Sequence, residues 1–173
     1  MSKPALVVNN LNVWFETESG RRPLVDGISF SINAGEATGL VGESGCGKTM
    51  TALAILGLHP AFGVNVSSEG IEINGKDISR LNAAQRREVL GRDIAMIFQQ
   101  AGTALDPVFT IGQQIRAVYR RHAGGGKQHI HQTMLESLET VGFGQAEEIA
   151  TAYPHQLSGG MRQLAMIAMA TVC

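Results

Sequence analysis

The apolar positions of this chain follow two rhythms. Residues 5–15 and 24–32 alternate loosely between apolar and polar and predict two strands, with a polar turn at 17–22 around Gly20. A second turn at 33–36 leads into a short apolar run, 37–41, which predicts a buried strand. Residues 50–58 predict a helix, 69–74 and 93–98 two further strands, and 83–90 a polar helix between them. From Thr110 the recurrence becomes helical: 110–121, a flexible break at Gly124, Gly125 and Gly126, then about 129–141, a short helix near 145–152 and a last helix from Ser158. That last helix is apolar nearly all round between Leu164 and Val172, the pattern of a buried core helix too short to span a bilayer. The chain therefore reads as α/β: a small antiparallel sheet feeds an α/β core, helices follow, and no internal repeat is visible.

Composition narrows the function classes. A length of 173 residues predicts one domain, and 44% hydrophobic with 17% charged residues argues against disorder. A net charge of −1 offers no electrostatic footing for a nucleic acid, so none is expected as a partner. No apolar run approaches the roughly 18 residues of a membrane span, and the start Met1-Ser2-Lys3-Pro4 lacks the apolar stretch of a signal peptide, which predicts a cytosolic chain. Cys46 and Cys173 make neither a disulfide framework nor a metal quartet. His129 and His131, two apart, point to different faces of a helix and do not make a metal pair.

The sharpest chemistry lies at 42–49, Gly42-Glu43-Ser44-Gly45-Cys46-Gly47-Lys48-Thr49, which fits G-x-x-x-x-G-K-[ST]. Successive backbone N–H groups must turn inward to form an anion-binding nest, and glycines at 42, 45 and 47 leave that turn unobstructed. Lys48 is expected to reach the β- and γ-phosphates of a nucleotide, and Thr49 to place its hydroxyl on Mg²⁺. The helix beginning there, with Met50 in its first turn, aims its positive end at the same phosphates. Cys46 occupies a variable position of the loop, where an oxidised thiol would obstruct the nucleotide.

A second glycine motif stands at Leu157-Ser158-Gly159-Gly160-Met161-Arg162-Gln163. A serine cap followed by two glycines leaves the N–H groups of a helix start open to an anion. With the phosphate loop, with Ala95-Met96-Ile97-Phe98-Gln99, with Ala104-Leu105-Asp106-Pro107, with Tyr153-Pro154-His155-Gln156 and with Met166-Ile167-Ala168-Met169-Ala170, it makes the chain resemble the nucleotide-binding subunits of ABC transporters over its whole length. Within them it is similar to the peptide and nickel importer group.

The resemblance implies a P-loop NTPase core with an N-terminal antiparallel β subdomain and an inserted α-helical subdomain. Residues 1–98 would form the core, 99–157 the Gln99 loop and helical subdomain, and 158–173 the signature helix, all parts of one ATPase domain. It implies ATP and Mg²⁺ as ligands, with Phe15 stacking on adenine while Trp14, sent to the opposite face of the strand, is the competing candidate. Gln99 would touch Mg²⁺ and the attacking water, since an amide offers donor and acceptor without charge. Gln100 and 101–103 depart from the group's usual residues in the loop that senses the membrane partner. Ser158, Gly159, Gly160 and Gln163 would meet ATP held by a second ATP-binding subunit in a head-to-tail dimer. Transmembrane permease subunits would be direct partners and a solute-binding protein an indirect one, at the cytoplasmic face of the membrane.

The same resemblance places the second magnesium ligand and the water-positioning glutamate on a strand beginning about where the chain stops, so the C-terminal strands of the fold are expected to be missing and the chain to be part of a longer subunit. Thr171-Val172 also departs from the expected residues. Two further readings stay open on these residues: a nucleotide-binding fragment without turnover, and an ABC ATPase outside transport.

Overall fold

The computed structural model describes residues 3–60, 62–99 and 104–173. Two compact units divide the chain, Met1–Arg86 and Arg87–Cys173.

The first unit is a five-stranded antiparallel sheet with one helix against it. Strand β1 (Pro4–Thr17) pairs along its length with β2 (Gly20–Asn33), and its other edge is shared. The first half of that edge pairs with β4 (Gly70–Ile73) and the second half with β3 (Val64–Ser67), while the short β5 (Lys76–Asp77) closes on β4. The sheet order is β2-β1-β4-β5 with β3 on β1. The changeover falls at Asn10, where the register slips and the backbone turns to φ +46, a left-handed conformation that asparagine tolerates. Ser29 and Glu69 hold it, Ser29 accepting from the Asn10 N–H and Glu69 from its amide at 2.9 Å each. This irregularity, with the further register shifts between Pro4 and Leu6 and between Leu11 and Trp14, explains the imperfect alternation of the first strand. Val8, Leu11 and Val13 are fully buried, and helix α1 (Lys48–Leu56) adds Thr51, Ala54, Ile55 and Leu56 to the same core.

Helix α2 (Ala83–Val89) carries the chain into the second unit, where the expected helices appear within a residue or two of their sequence bounds. They are α3 (Ile111–His122), α4 (Lys127–Thr140), α5 (Ala146–Thr151) and α6 (Gly159–Thr171), with a 3₁₀ turn at Pro154–Gln156. Helix α3 opens with a complete capping box: Gln113 N–H donates to Thr110 Oγ1 and Thr110 N–H to Gln113 Oε1. Ile111, Ile115, Met134, Leu138, Ala165 and Ala168 meet in one cluster with Leu105 and Phe143. No helix among the described residues is long and apolar enough to cross a membrane.

Two expectations fail. Residues 37–41 are not a strand, and Leu40 and Val41 are 54% and 89% exposed. Residues 93–98 hold only a single bridge, Leu90 to Ile94, and Ile97 and Phe98 are exposed. An apolar run reports a need for burial, but a strand forms only when a neighbouring strand pairs with it, and no strand among the described residues pairs with these two. The unexpected strands are β3 and β5, too short at four and two residues to stand out as a pattern.

Candidate functional site

The phosphate loop is shaped by its own backbone. Gly45 and Gly47 take φ +83 and +97, the Cys46 N–H donates to the Glu43 carbonyl at 3.3 Å, and α1 starts at Lys48 with Gly47 as its cap. Gly47 is held from both sides. Its carbonyl accepts from the Thr51 N–H at 2.8 Å and the Thr51 hydroxyl at 3.0 Å. On the other side its α-carbon faces β2, where a Cβ would lie 2.6 Å from the Leu24 carbonyl oxygen and 3.1 Å from Val25 Cγ2. A Cβ on Gly42 would likewise lie 2.6 Å from Cys46 Sγ. The loop is thus a cradle in which Gly42 and Gly47 admit no further carbon, while the space beside Gly45 is open.

Lys48 closes the cradle. Its ammonium donates to the carbonyls of Gly42 at 2.8 Å and Glu43 at 2.6 Å, and lies 3.5 Å from Cys46 Sγ. The first turn of α1 carries no side-chain cap and no acidic residue, so its N–H groups and positive end face an incoming anion without competition. Thr49 is exposed and Met50 half-buried in that turn, and Glu43, Ser44 and Cys46 are exposed on the loop. These residues fit a polyphosphate with its counter-cation: N–H donors, one lysine, and one hydroxyl at the motif's magnesium position.

The two aromatic candidates on β1 separate. Arg21 lies over the Trp14 ring at 4.7 Å from its centroid, and the indole N–H donates to Glu16, so Trp14 is engaged on its own face. Phe15 pairs with Arg22 and Val64 and is half-buried beside Gly63. It stands two positions beyond Val13, whose partner Val25 is the residue under Gly47.

In the second unit Ser158 caps α6, accepting from the Met161 N–H at 3.3 Å. Ser158, Gly159 and Gly160 are exposed, nothing would meet a Cβ on either glycine, and Gln163 is half-buried in the following turn. Gln99 is exposed in a bend, not at the end of a strand, and Gln100 with 101–103 lies outside the described residues.

Sequence reasoning missed the support around these motifs. Thr51 and Leu24 fix Gly47, yet a hydroxyl bonding back one turn and a strand carbonyl carry no motif. Gln114 is the other omission. Its amide donates to the carbonyls of Asp106 and Phe109 at 3.0 Å each and accepts from the Asp106 N–H at 2.9 Å, while Asp106 Oδ1 accepts from Val108 N–H. This stitched loop presents Val108 and Phe109, 68% and 50% exposed.

The ABC transporter family model matches residues 25–173, from the strand beneath Gly47 through both glycine motifs. The chain belongs to the ABC transporter family. Among curated ABC relatives, the oligopeptide transport ATP-binding protein AppD of Bacillus subtilis is 43% identical over 168 residues, covering 97% of this chain and 51% of AppD. The dipeptide transport ATP-binding protein DppD of Escherichia coli is 44% identical with the same coverage, and the glutathione import ATP-binding protein GsiA of Escherichia coli is 42% identical over 97% of this chain and 28% of GsiA. The chain spans about half the length of the first two relatives. Among solved structures, the dimeric ABC transporter cassette MJ0796 superposes with a TM-score of 0.82 at 21% identity, over 96% of this chain and 69% of that one. The cassette cbiO1 of Clostridium perfringens, part of the transporter complex cbiONQ, gives 0.74 at 22%, over 99% and 62%. These likenesses establish the ABC ATPase fold.

Proposed function

We propose that this chain supplies the ATP-binding part of an importer subunit for peptide-class solutes, working on ATP at a dimer interface and driving membrane partners. The observation that carries the reading is the loop of Gly42 to Thr49, with its left-handed glycines, its clasped Lys48 and the open first turn of α1. The import ATP-binding proteins at 42–44% identity support the solute class.

Lys48 exchanges the carbonyls of Gly42 and Glu43 for β- and γ-phosphoryl oxygens, which trades two neutral acceptors for charged ones. The loop and the first turn of α1 donate N–H groups to the same oxygens. Thr49 and Gln99 would hold Mg²⁺ through hydroxyl and amide oxygen, and bound magnesium would neutralise charge on the transferring phosphoryl group. Gln99 orients the attacking water with the rest of its amide, and Phe15 offers a ring face to adenine. Ser158, Gly159, Gly160 and Gln163 meet the nucleotide of a second ATP-binding subunit, a role supported by the dimeric state of MJ0796. Transmembrane permease subunits receive the motion through the segment after Gln99 and the helices beyond it, with a solute-binding protein acting upstream. The assembly sits peripherally at the cytoplasmic face.

Two measurements test this. Calorimetric titration with Mg–ATP should show saturable binding that Lys48→Ala abolishes. Disrupting the gene should remove uptake of a radiolabelled dipeptide, restored by the wild-type gene and not by Lys48→Ala. Uptake indifferent to the disruption would overturn the importer reading.

A further inference from the structure

The second unit carries a cavity of about 550 Å³ that the phosphate loop and signature do not use. Its wall is cationic: Arg116 and Arg120, one turn apart on α3, and Lys127, the first residue of α4. Its remaining lining includes Phe109, Ala117 and Ile130, which are apolar. None of the three cations has a carboxylate within ion-pair distance among the described residues, whereas Arg92 and Arg121 of the same unit pair with Asp93 and Glu88 at 2.9 and 3.1 Å. Glu147 lines an adjoining cavity of about 360 Å³ that shares Arg116, without pairing to it. Arg116 is half-buried and Arg120 and Lys127 are exposed; like charges one helical turn apart repel, and an anion held between them would relieve that repulsion. Phe109 is held at the pocket by the Gln114 amide, which fixes its carbonyl at 3.0 Å.

We infer that this pocket is a second ligand site, built for a phosphate group on an apolar stem. Two guanidinium groups and an ammonium match the charge of a phosphate better than that of a single carboxylate, and guanidinium grips phosphate oxygens in pairs. The volume lies within the usual range for small-ligand pockets. Phe109 and Ile130 take the apolar part. Such a ligand is either a free phosphorylated metabolite or a phospholipid headgroup, and the two share the chemistry that the pocket reads. The site shares no residue with the proposed ATP site, since its cations lie on α3 and α4.

The test is calorimetric titration of the chain with phenyl phosphate while a non-hydrolysable ATP analogue saturates the phosphate loop, beside flotation with phosphatidylglycerol vesicles. Saturable binding of phenyl phosphate identifies the soluble source; binding to vesicles alone identifies the headgroup. In either case Arg116→Gln/Arg120→Gln should weaken binding by roughly tenfold or more, and Lys127→Gln, made separately, by a smaller factor. Lys48→Ala should leave it intact, which separates this site from the ATP site. Unchanged circular dichroism in the double variant shows that folding is not the cause. Binding of neither probe, or equal binding to the double variant, would overturn the inference.

Discussion

Gly47 and Leu24 touch through backbone alone: the α-carbon of one leaves room for no further carbon beside the carbonyl oxygen of the other. Gly47→Ala must therefore bear both left-handed strain at φ +97 and a clash at 2.6 Å, whereas Gly45→Ala bears only strain at φ +83 because the space beside it is open. We expect the first to lower stability by about 2–3 kcal/mol and the second by about 1 kcal/mol. Urea unfolding followed by fluorescence of the single tryptophan, Trp14, reads both; equal costs would show that Leu24 is not the constraint.

Removing the ammonium of Lys48 should cost nucleotide affinity at least about tenfold. Lys48→Arg should not restore it, because a planar fork cannot replace the compact ammonium that sits between the Gly42 and Glu43 carbonyls. Titration with a fluorescent ATP analogue measures both variants.

Cys46 fills the space against Gly42 and lies 3.5 Å from the Lys48 ammonium, so a bulky adduct on its sulfur should close the loop to nucleotide. Alkylation by N-ethylmaleimide in a Cys173→Ser background should abolish ATP binding, and prior ATP should slow the alkylation. In the wild-type chain Cys173, which is also exposed, should label more slowly at neutral pH than a thiol at its ordinary value, since desolvation pushes its thiol up and reduces its thiolate fraction. Mass spectrometry after timed labelling distinguishes the two thiols.

Ser158→Ala removes the acceptor for the Met161 N–H and should destabilise the second unit by about 1 kcal/mol, while Ser158→Gly should cost only a few tenths. Thermal unfolding separates them. An alanine variant as stable as the wild type would mean that the cap contributes nothing to folding.

Asp77 supplies the pH dependence that can be signed. Its carboxylate accepts from the Ser79 hydroxyl at 2.6 Å and the Ser79 N–H at 2.8 Å, and these bonds, with the Arg80 charge, hold its carboxyl below the usual range. A depressed native value means stability that is present above the unfolded value near 3.9 and is lost as pH falls through the native one. Asp77→Asn should therefore differ from wild type at pH 7 and converge with it under strongly acidic conditions, by a small amount because the group is exposed. Urea midpoints across that range read the convergence.

The helices of the second unit were legible because their signals are local: the apolar recurrence from Thr110 repeats every turn, and Ser158 before a glycine pair announces a helix start within a few residues. The β1–β2 hairpin was legible from loose alternation despite its register shifts between Pro4 and Leu6 and between Val8 and Trp14, since antiparallel pairing resumes after each. Residues 37–41 and 93–98 were misread for the opposite reason. Leu40, Val41, Ile97 and Phe98 call for burial, but whether a flanking strand exists to bury them is not a local property. The phosphate loop was readable in residue type, because only glycine suits φ +83 and +97; the carbonyls that Lys48 holds were not, because every residue has one.

The brace that Gln114 places across Asp106 and Phe109 has a further consequence for Val108 and Phe109. Ordering a free backbone costs roughly 1–2 kcal/mol per residue at the moment a loop is fixed. Here that ordering is completed when the unit folds, so a surface landing on these two side chains meets a rigid corner and loses little chain entropy. Contacts through this corner should then be discriminated by shape and by how fast they separate, since no folding step delays their formation.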